Sequence, residues 1–241
     1  MKNIWVLTMI PEMFKPFLDY GVVGLSLRGE RGNHLPKLNL VPISDYCEKG
    51  FKGVDSSPYG GGAGMVMRAD VLEKTLIEGV FEAGRYSSPK SELRIIATGP
   101  RGATFNQTIA NDLKVEERDL VFICGRYEGI DERFLEKYVD QHISLGNFII
   151  SGGELACMSY IDAVVRLMDG ALGNAESAVN ESFEGNGLLE HPHYTRPQIA
   201  CEMSAPDVLI GGDHKKIIKW RQEESIRMTK TYRPELLEQK K

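Results

Sequence analysis

Leu120-Val121-Phe122-Ile123-Cys124 runs without a polar residue into Gly125-Arg126-Tyr127-Glu128-Gly129. Five consecutive apolar residues ending at a glycine turn fit a parallel strand covered on both faces, where the polar and apolar alternation of a half-exposed strand is lost. Similar runs stand at residues 4–9, 38–43, 93–98 and 148–151. Helical patterns fill the spaces between and after them, at 11–27, 69–81, 106–113, 131–139 and 155–168. This alternation predicts an α/β fold with a mostly parallel sheet flanked by helices.

Three of the predicted strands end in glycine turns. Residues 93–98 lead into Gly99-Pro100-Arg101-Gly102, residues 120–124 into the turn quoted above, and residues 148–151 into Gly152-Gly153-Glu154. Ligands of open parallel sheets bind at the carboxyl ends of strands, and glycine lets the backbone approach them closely. One shared pocket is the functional expectation; three ordinary strand-to-helix turns are the competing one. No Gly-Lys dipeptide occurs, which excludes a P-loop, and Gly60-Gly61-Gly62-Ala63-Gly64 lacks the G-x-G-x-x-G spacing of a dinucleotide fold.

Composition sets the outer limits. The 241 residues hold 29 Lys and Arg against 34 Asp and Glu, a net charge of −5, so a general nucleic-acid coat is excluded. Residues 214–241 nevertheless carry nine basic and four acidic side chains, a local +5 that leaves −10 for the rest. A solvated basic helix and a polyanion-facing surface both fit this asymmetry, and Trp220 and Tyr232 add aromatic surface among the cations. Residues 170–187 are small, polar and glycine-rich, as in a linker. No apolar run reaches a bilayer span and Pro11 interrupts the N-terminal one, so a cytoplasmic protein without a membrane partner is expected. Cys47, Cys124, Cys157 and Cys201 form no C-x-x-C pair, and His191-Pro192-His193 has no companion ligand spacing, so no metal site is predicted.

The blocks 57–65 (SPYGGGAGM), 124–133 (CGRYEGIDER), 151–155 (SGGEL) and 192–197 (PHYTRP), together with Arg233-Pro234-Glu235-Leu236-Leu237, resemble the bacterial tRNA (guanine-N1)-methyltransferase family in family order over nearly the whole chain. The resemblance implies a SPOUT-type α/β trefoil knot and a homodimer with a composite active site. It divides the chain into a methyltransferase domain at 1–169, a flexible linker at 170–187 and a small, mostly helical, basic tRNA-binding domain at 188–241. The implied reaction moves a methyl group from S-adenosyl-L-methionine to N1 of guanosine 37 in the anticodon stem-loop of tRNA, and Mg2+ is left open as an aid to the RNA or the chemistry.

Carried over by motif, the cofactor positions are Thr98, Gly99, Pro100, Gly125, Glu128, Leu145, Gly146, Phe148, Ile150, Gly152 and Gly153. Guanine N1 bears a proton at neutral pH, and negative charge grows on O6 as that proton leaves, so a base and a cation are required. The resemblance assigns these catalytic roles to Glu181 and Arg166. Glu181 stands where the family commonly has Asp, one methylene shorter; Ala97, Gly99 and Tyr232 are further departures. Without the resemblance, Glu181 reads as a solvated loop carboxylate and Arg166 as a cation at a helix end. Arg126, Tyr127, Ser177, Glu190, His193 and Arg196 fall at positions implied to lie near the RNA. A non-catalytic RNA-binding protein and a SPOUT enzyme acting on ribose or another base remain as alternatives.

Overall fold

The computed structural model describes residues 1–32, 34–172 and 181–238. The chain forms two compact units, Met1–Gly173 and Asn174–Lys241. The first is built on five strands, β1 (Asn3–Thr8), β2 (Lys37–Pro42), β3 (Leu93–Thr104), β4 (Asp119–Cys124) and β5 (Gln141–Ser144). Every neighbouring pair is parallel, and the spatial order is β2-β1-β4-β3-β5. The predicted α/β class and parallel sheet are therefore present.

All six residues of β4 are buried, which explains the unbroken apolar run from Leu120 to Cys124 that follows Asp119. Trp5, Leu7, Val121, Ile123, Ile95 and Ala97 turn one way into a core shared with Val71, Leu72 and Leu76 of helix α3 (Ala69–Leu76). The alternate residues Ile4, Val6, Leu120 and Phe122 are also fully buried. Phe122 meets Tyr160 of helix α6 (Glu154–Val165) with ring centroids 6.3 Å apart. Side chains of a strand alternate between faces, so helices on both sides are needed to bury both sets.

The predicted fifth strand at 148–151 is not a strand. Phe148 and Ile149 are 57% and 85% exposed, and the edge position is taken by β5, whose polar start at Gln141-His142 hides it in the sequence. An edge strand pairs on one side only and needs no long apolar run. Helix 11–27 is likewise divided, into a turn at Pro11–Met13, α1 (Phe14–Asp19) and α2 (Gly21–Leu27). Tyr20 is extended and Gly21 has φ +77°, a left-handed conformation that no continuous helix contains. The boundaries of α4 (Gln107–Lys114) and α5 (Glu132–Tyr138) agree closely with expectation, because Asn106 and Asp131 cap them by accepting hydrogen bonds from Ile109 N and Arg133 N.

In the second unit, α7 (His214–Tyr232) is the longest element. Asp213 caps it by accepting from Lys215 N at 3.1 Å and Lys216 N at 3.3 Å. A short hairpin pairs Ile199–Ala200 with Met203–Ser204. Among the described residues, no helix is long and apolar enough to cross a membrane.

Candidate active site

Thr98 stands midway along β3, where the register shifts, and with Gly125 just after β4 and Gly153 at the start of α6 it makes the floor of a pocket; the predicted turn at 99–102 therefore lies within β3 and not after it. The Thr98 hydroxyl donates to Ile123 O at 3.1 Å and accepts from Gly125 N at 3.3 Å, while Gly153 N donates to Gly125 O at 2.8 Å. A methyl group on Gly153 would collide with Thr98 Oγ1 and stand 2.9 Å from both Cys124 Cα and Gly125 N. Glycine is required there because backbone, which cannot swing aside, occupies the space. Gly99, by contrast, has nothing within 4 Å of such a methyl.

The pocket encloses about 400 Å³. Its wall is the segment after β5, where Leu145, Gly146, Phe148, Ile149 and Ile150 present apolar surface, and Ala156 and Tyr160 of α6 close the base. Ser144 Oγ shapes the wall's first turn by donating to Gly146 O at 3.1 Å. Tyr127 adopts φ +58° and is partly exposed at the rim. Glu128 N donates to Met65 O at 2.9 Å, and its carboxylate packs so closely on Gly64 (φ +85°) that a side chain there would clash.

Beside this pocket lies a buried ion pair. Arg126 Nε donates to Glu154 Oε1 at 2.9 Å, and Thr8 Oγ1 donates to the same oxygen at 2.9 Å. Glu154 is fully buried, and its Oε2 has no hydrogen-bond partner among the described residues. Farther along α6, burial pushes the Asp162 carboxyl above the usual carboxylate range, and the Arg166 charge opposes that rise. Arg166 is the C-cap residue of the helix and donates its backbone N–H to Asp162 O at 3.0 Å.

A second pocket, of about 450 Å³, belongs to the second unit. Glu181, Glu184, Glu190, His191 and His193 line it from the chain, and Ile218, Arg221, Gln222 and Ser225 line it from α7. Leu189 N donates to Thr229 Oγ1 at 3.0 Å, Ser225 Oγ donates to Leu189 O at 2.5 Å, and Glu190 N donates to Ser182 Oγ at 2.9 Å. The segment that carries Glu190 is thereby fastened to the helix.

Similarity to known proteins is extensive. The sequence profile described as tRNA (Guanine-1)-methyltransferase TrmD matches residues 1–239. The chain belongs to the tRNA (guanine-1)-methyltransferase family. A protein of Clostridium botulinum (strain 657 / Type Ba4) named tRNA (guanine-N(1)-)-methyltransferase is 45% identical over 235 residues, covering 98% of this chain and 91% of the relative. A protein of the same name from Polynucleobacter asymbioticus is 43% identical over 233 residues, covering 97% and 91%.

In this member of the methyltransferase family, the first pocket gathers all eleven residues assigned to the cofactor from sequence, along with Arg126 and Tyr127. The second gathers Glu181, Glu190 and His193. Arg166 lines neither, Arg196 is exposed, and Ser177 lies outside the described residues. Sequence reasoning missed Gly129, Ser144, Ile149, Ser151, Ala156 and Tyr160 in the first lining. Ala156 and Tyr160 are four apart on one helix and announce themselves only as core residues. Glu154, directly after the glycine pair, was the one available polar signal.

Proposed function

We propose that this chain transfers a methyl group from S-adenosyl-L-methionine to N1 of guanosine 37 in tRNA. The observation that carries the reading is the glycine-floored pocket beside β3 and β4, in a chain that belongs to a tRNA (guanine-1)-methyltransferase family. The pocket suits the cofactor. Apolar Leu145, Phe148 and Ile150 offer surface to an adenine ring, the missing side chain at Gly99 lets polar groups of the cofactor approach the backbone closely, and Glu128 faces the sulfonium.

S-adenosyl-L-methionine, when bound, supplies the electrophilic methyl group. Glu181 takes the N1 proton as general base, so that the ring nitrogen's lone pair is available when the methyl group arrives. Arg166 offsets the charge that develops on guanine O6. Arg126 is held inward by Glu154 and fixes the turn that bears Tyr127 and Glu128, while Tyr127, Ser177, Glu190, His193 and Arg196 are assigned to the RNA.

The finer architecture belongs to the same proposal: a SPOUT trefoil knot at 1–169, a linker at 170–187 and a tRNA-binding domain at 188–241. Support for the knot comes from Gly102, which lies so close to the backbone of His142 and Ile143 that a methyl group would clash, as tight threading requires. Both Thr98 and Ala103 pair with Ile143, so the chain between them makes an excursion out of the sheet. Support for a homodimer with a composite site comes from exposed Phe148, Ile149 and Leu155 around the first pocket. The place of action is the cytoplasm.

Among the described residues, the cluster of three candidate ligands offers two imidazoles and one carboxylate, whereas magnesium prefers oxygen donors and retained water.

The test is labelled-methyl transfer to paired tRNA transcripts with guanosine or adenosine at position 37, with the product mapped by nucleoside mass spectrometry. Transfer to the guanosine transcript alone, giving 1-methylguanosine, is expected. Binding without transfer would establish a non-catalytic RNA-binding protein, and methylation at another atom a different SPOUT activity.

A further inference from the structure

The geometry points to a binding site for one divalent cation of the zinc class in the second unit, with Glu190, His191 and His193 as its protein ligands. In sequence, His191-Pro192-His193 is only a loop. Folding places one candidate ligand atom from each of the three residues within 4.8 Å of the others.

The donor chemistry selects the ion. Two imidazole nitrogens and one carboxylate oxygen suit Zn2+, Co2+ or Ni2+ and not Mg2+, and three protein ligands leave a position open towards the pocket. The tautomers are favourable. His191 Nδ1 lies 3.2 Å from Pro192 O, and since a carbonyl only accepts, Nδ1 carries the proton and Nε2 keeps a lone pair for a metal. His193 Nε2 is already 3.0 Å from Glu190 Oε1, so these two donor atoms converge on one point. Ligands at about 2.0–2.2 Å from a zinc ion stand roughly 3.3 Å apart, so ligand atoms that lie within 4.8 Å of one another need to close by no more than about 1.5 Å on binding.

Rigidity adds independent support. The Leu189 and Glu190 backbone is fastened to Thr229, Ser225 and Ser182, and the His191 ring packs on Trp220 at a centroid distance of 6.1 Å. Two of the three ligands therefore have little freedom to lose on binding, which favours affinity.

Calorimetric titration of the untagged, metal-free, full-length chain with ZnCl2 tests the site without reference to methyl transfer. Expected is a binding event that Glu190→Gln and His191→Asn each weaken by about tenfold or more, at least the loss seen when a mere outer-shell partner is removed. Substitution with Co2+ should give the intense visible bands of a four- or five-coordinate ion, and a large excess of Mg2+ should leave them unchanged. Unaltered Zn2+ affinity in both variants would assign the ion to other histidines and overturn the proposal. Displacement by Mg2+ would overturn it too, since that is the behaviour of an oxygen-only site, and the competition does not depend on how the variants fold.

Discussion

The two pockets are of similar size but are made of different materials. The first, about 400 Å³, is made largely of backbone, glycine and apolar wall, with Arg126 paired to Glu154 and the exposed Glu128 carboxylate in its lining. The second, about 450 Å³, is made of side chains: three carboxylates, two imidazoles and a guanidinium. A backbone-built pocket binds by shape and tolerates almost no added atom; a side-chain-built pocket carries chemistry and can lose one group without losing its form. Glu181→Ala should break this comparison most visibly. If the second pocket supplies the base, turnover falls by about 10²–10⁴-fold while cofactor affinity, measured by equilibrium dialysis, stays at the wild-type value. Unchanged turnover would remove Glu181 from the chemistry.

Next in size is the ion pair beside the first pocket. Glu154→Ala leaves Arg126 charged, poorly solvated and unpaired, at a cost of about 3–5 kcal/mol in unfolding free energy by urea titration. A loss under about 1 kcal/mol would mean that water or another carboxylate already serves Arg126. Gly153→Ala follows, at about 1–3 kcal/mol for forcing a methyl group against Thr98 and Gly125, together with loss of cofactor binding. Gly99→Ala sharpens the contrast. The added methyl meets nothing within 4 Å, so stability holds to about 0.5 kcal/mol while affinity falls, because the new atom projects into open space beside the ligand.

How much of this was legible in the sequence follows from the same contrast. β4 and its glycine turn declared themselves because a strand buried on both faces has no polar position with which to disguise its period. The first pocket was legible because glycines that admit close backbone approach stand next to such strands. β5 was not, since an edge strand starting Gln-His resembles a loop, while exposed Phe148 and Ile149 resemble a strand and in fact wall a cavity. The second pocket was legible only in part. Glu181, Glu190 and His193 came from motif resemblance, and nothing in linear spacing indicates that Ser225 and Thr229 of α7 fasten the chain beside them. Composition showed a basic tail, and the fold shows a cavity with three carboxylates in its lining beside the same helix.

The amino ends of β3 and β4 provide a control for the others. Glu116 receives Arg118 Nη2 at 2.8 Å and Arg94 Nη1 at 3.1 Å, tying the start of β3 to the turn before β4. The Arg118 hydrogen bond, against some opposing burial, holds its carboxyl down at about 2. A carboxyl depressed in the folded state gives stability that is present above its ordinary value of 4.5 and is lost as the pH falls towards 2. Glu116→Gln should therefore cost about 1–2 kcal/mol at pH 7, the discount from the full shift reflecting solvent access to the cluster. The wild-type advantage should shrink steadily between about pH 5 and 2, as read from urea midpoints across that range. A difference that is independent of pH would assign the effect to packing and not to charge. Because the cluster lies at the amino ends of the strands, cofactor affinity should not follow this loss, whereas Gly153→Ala should lower affinity and stability together.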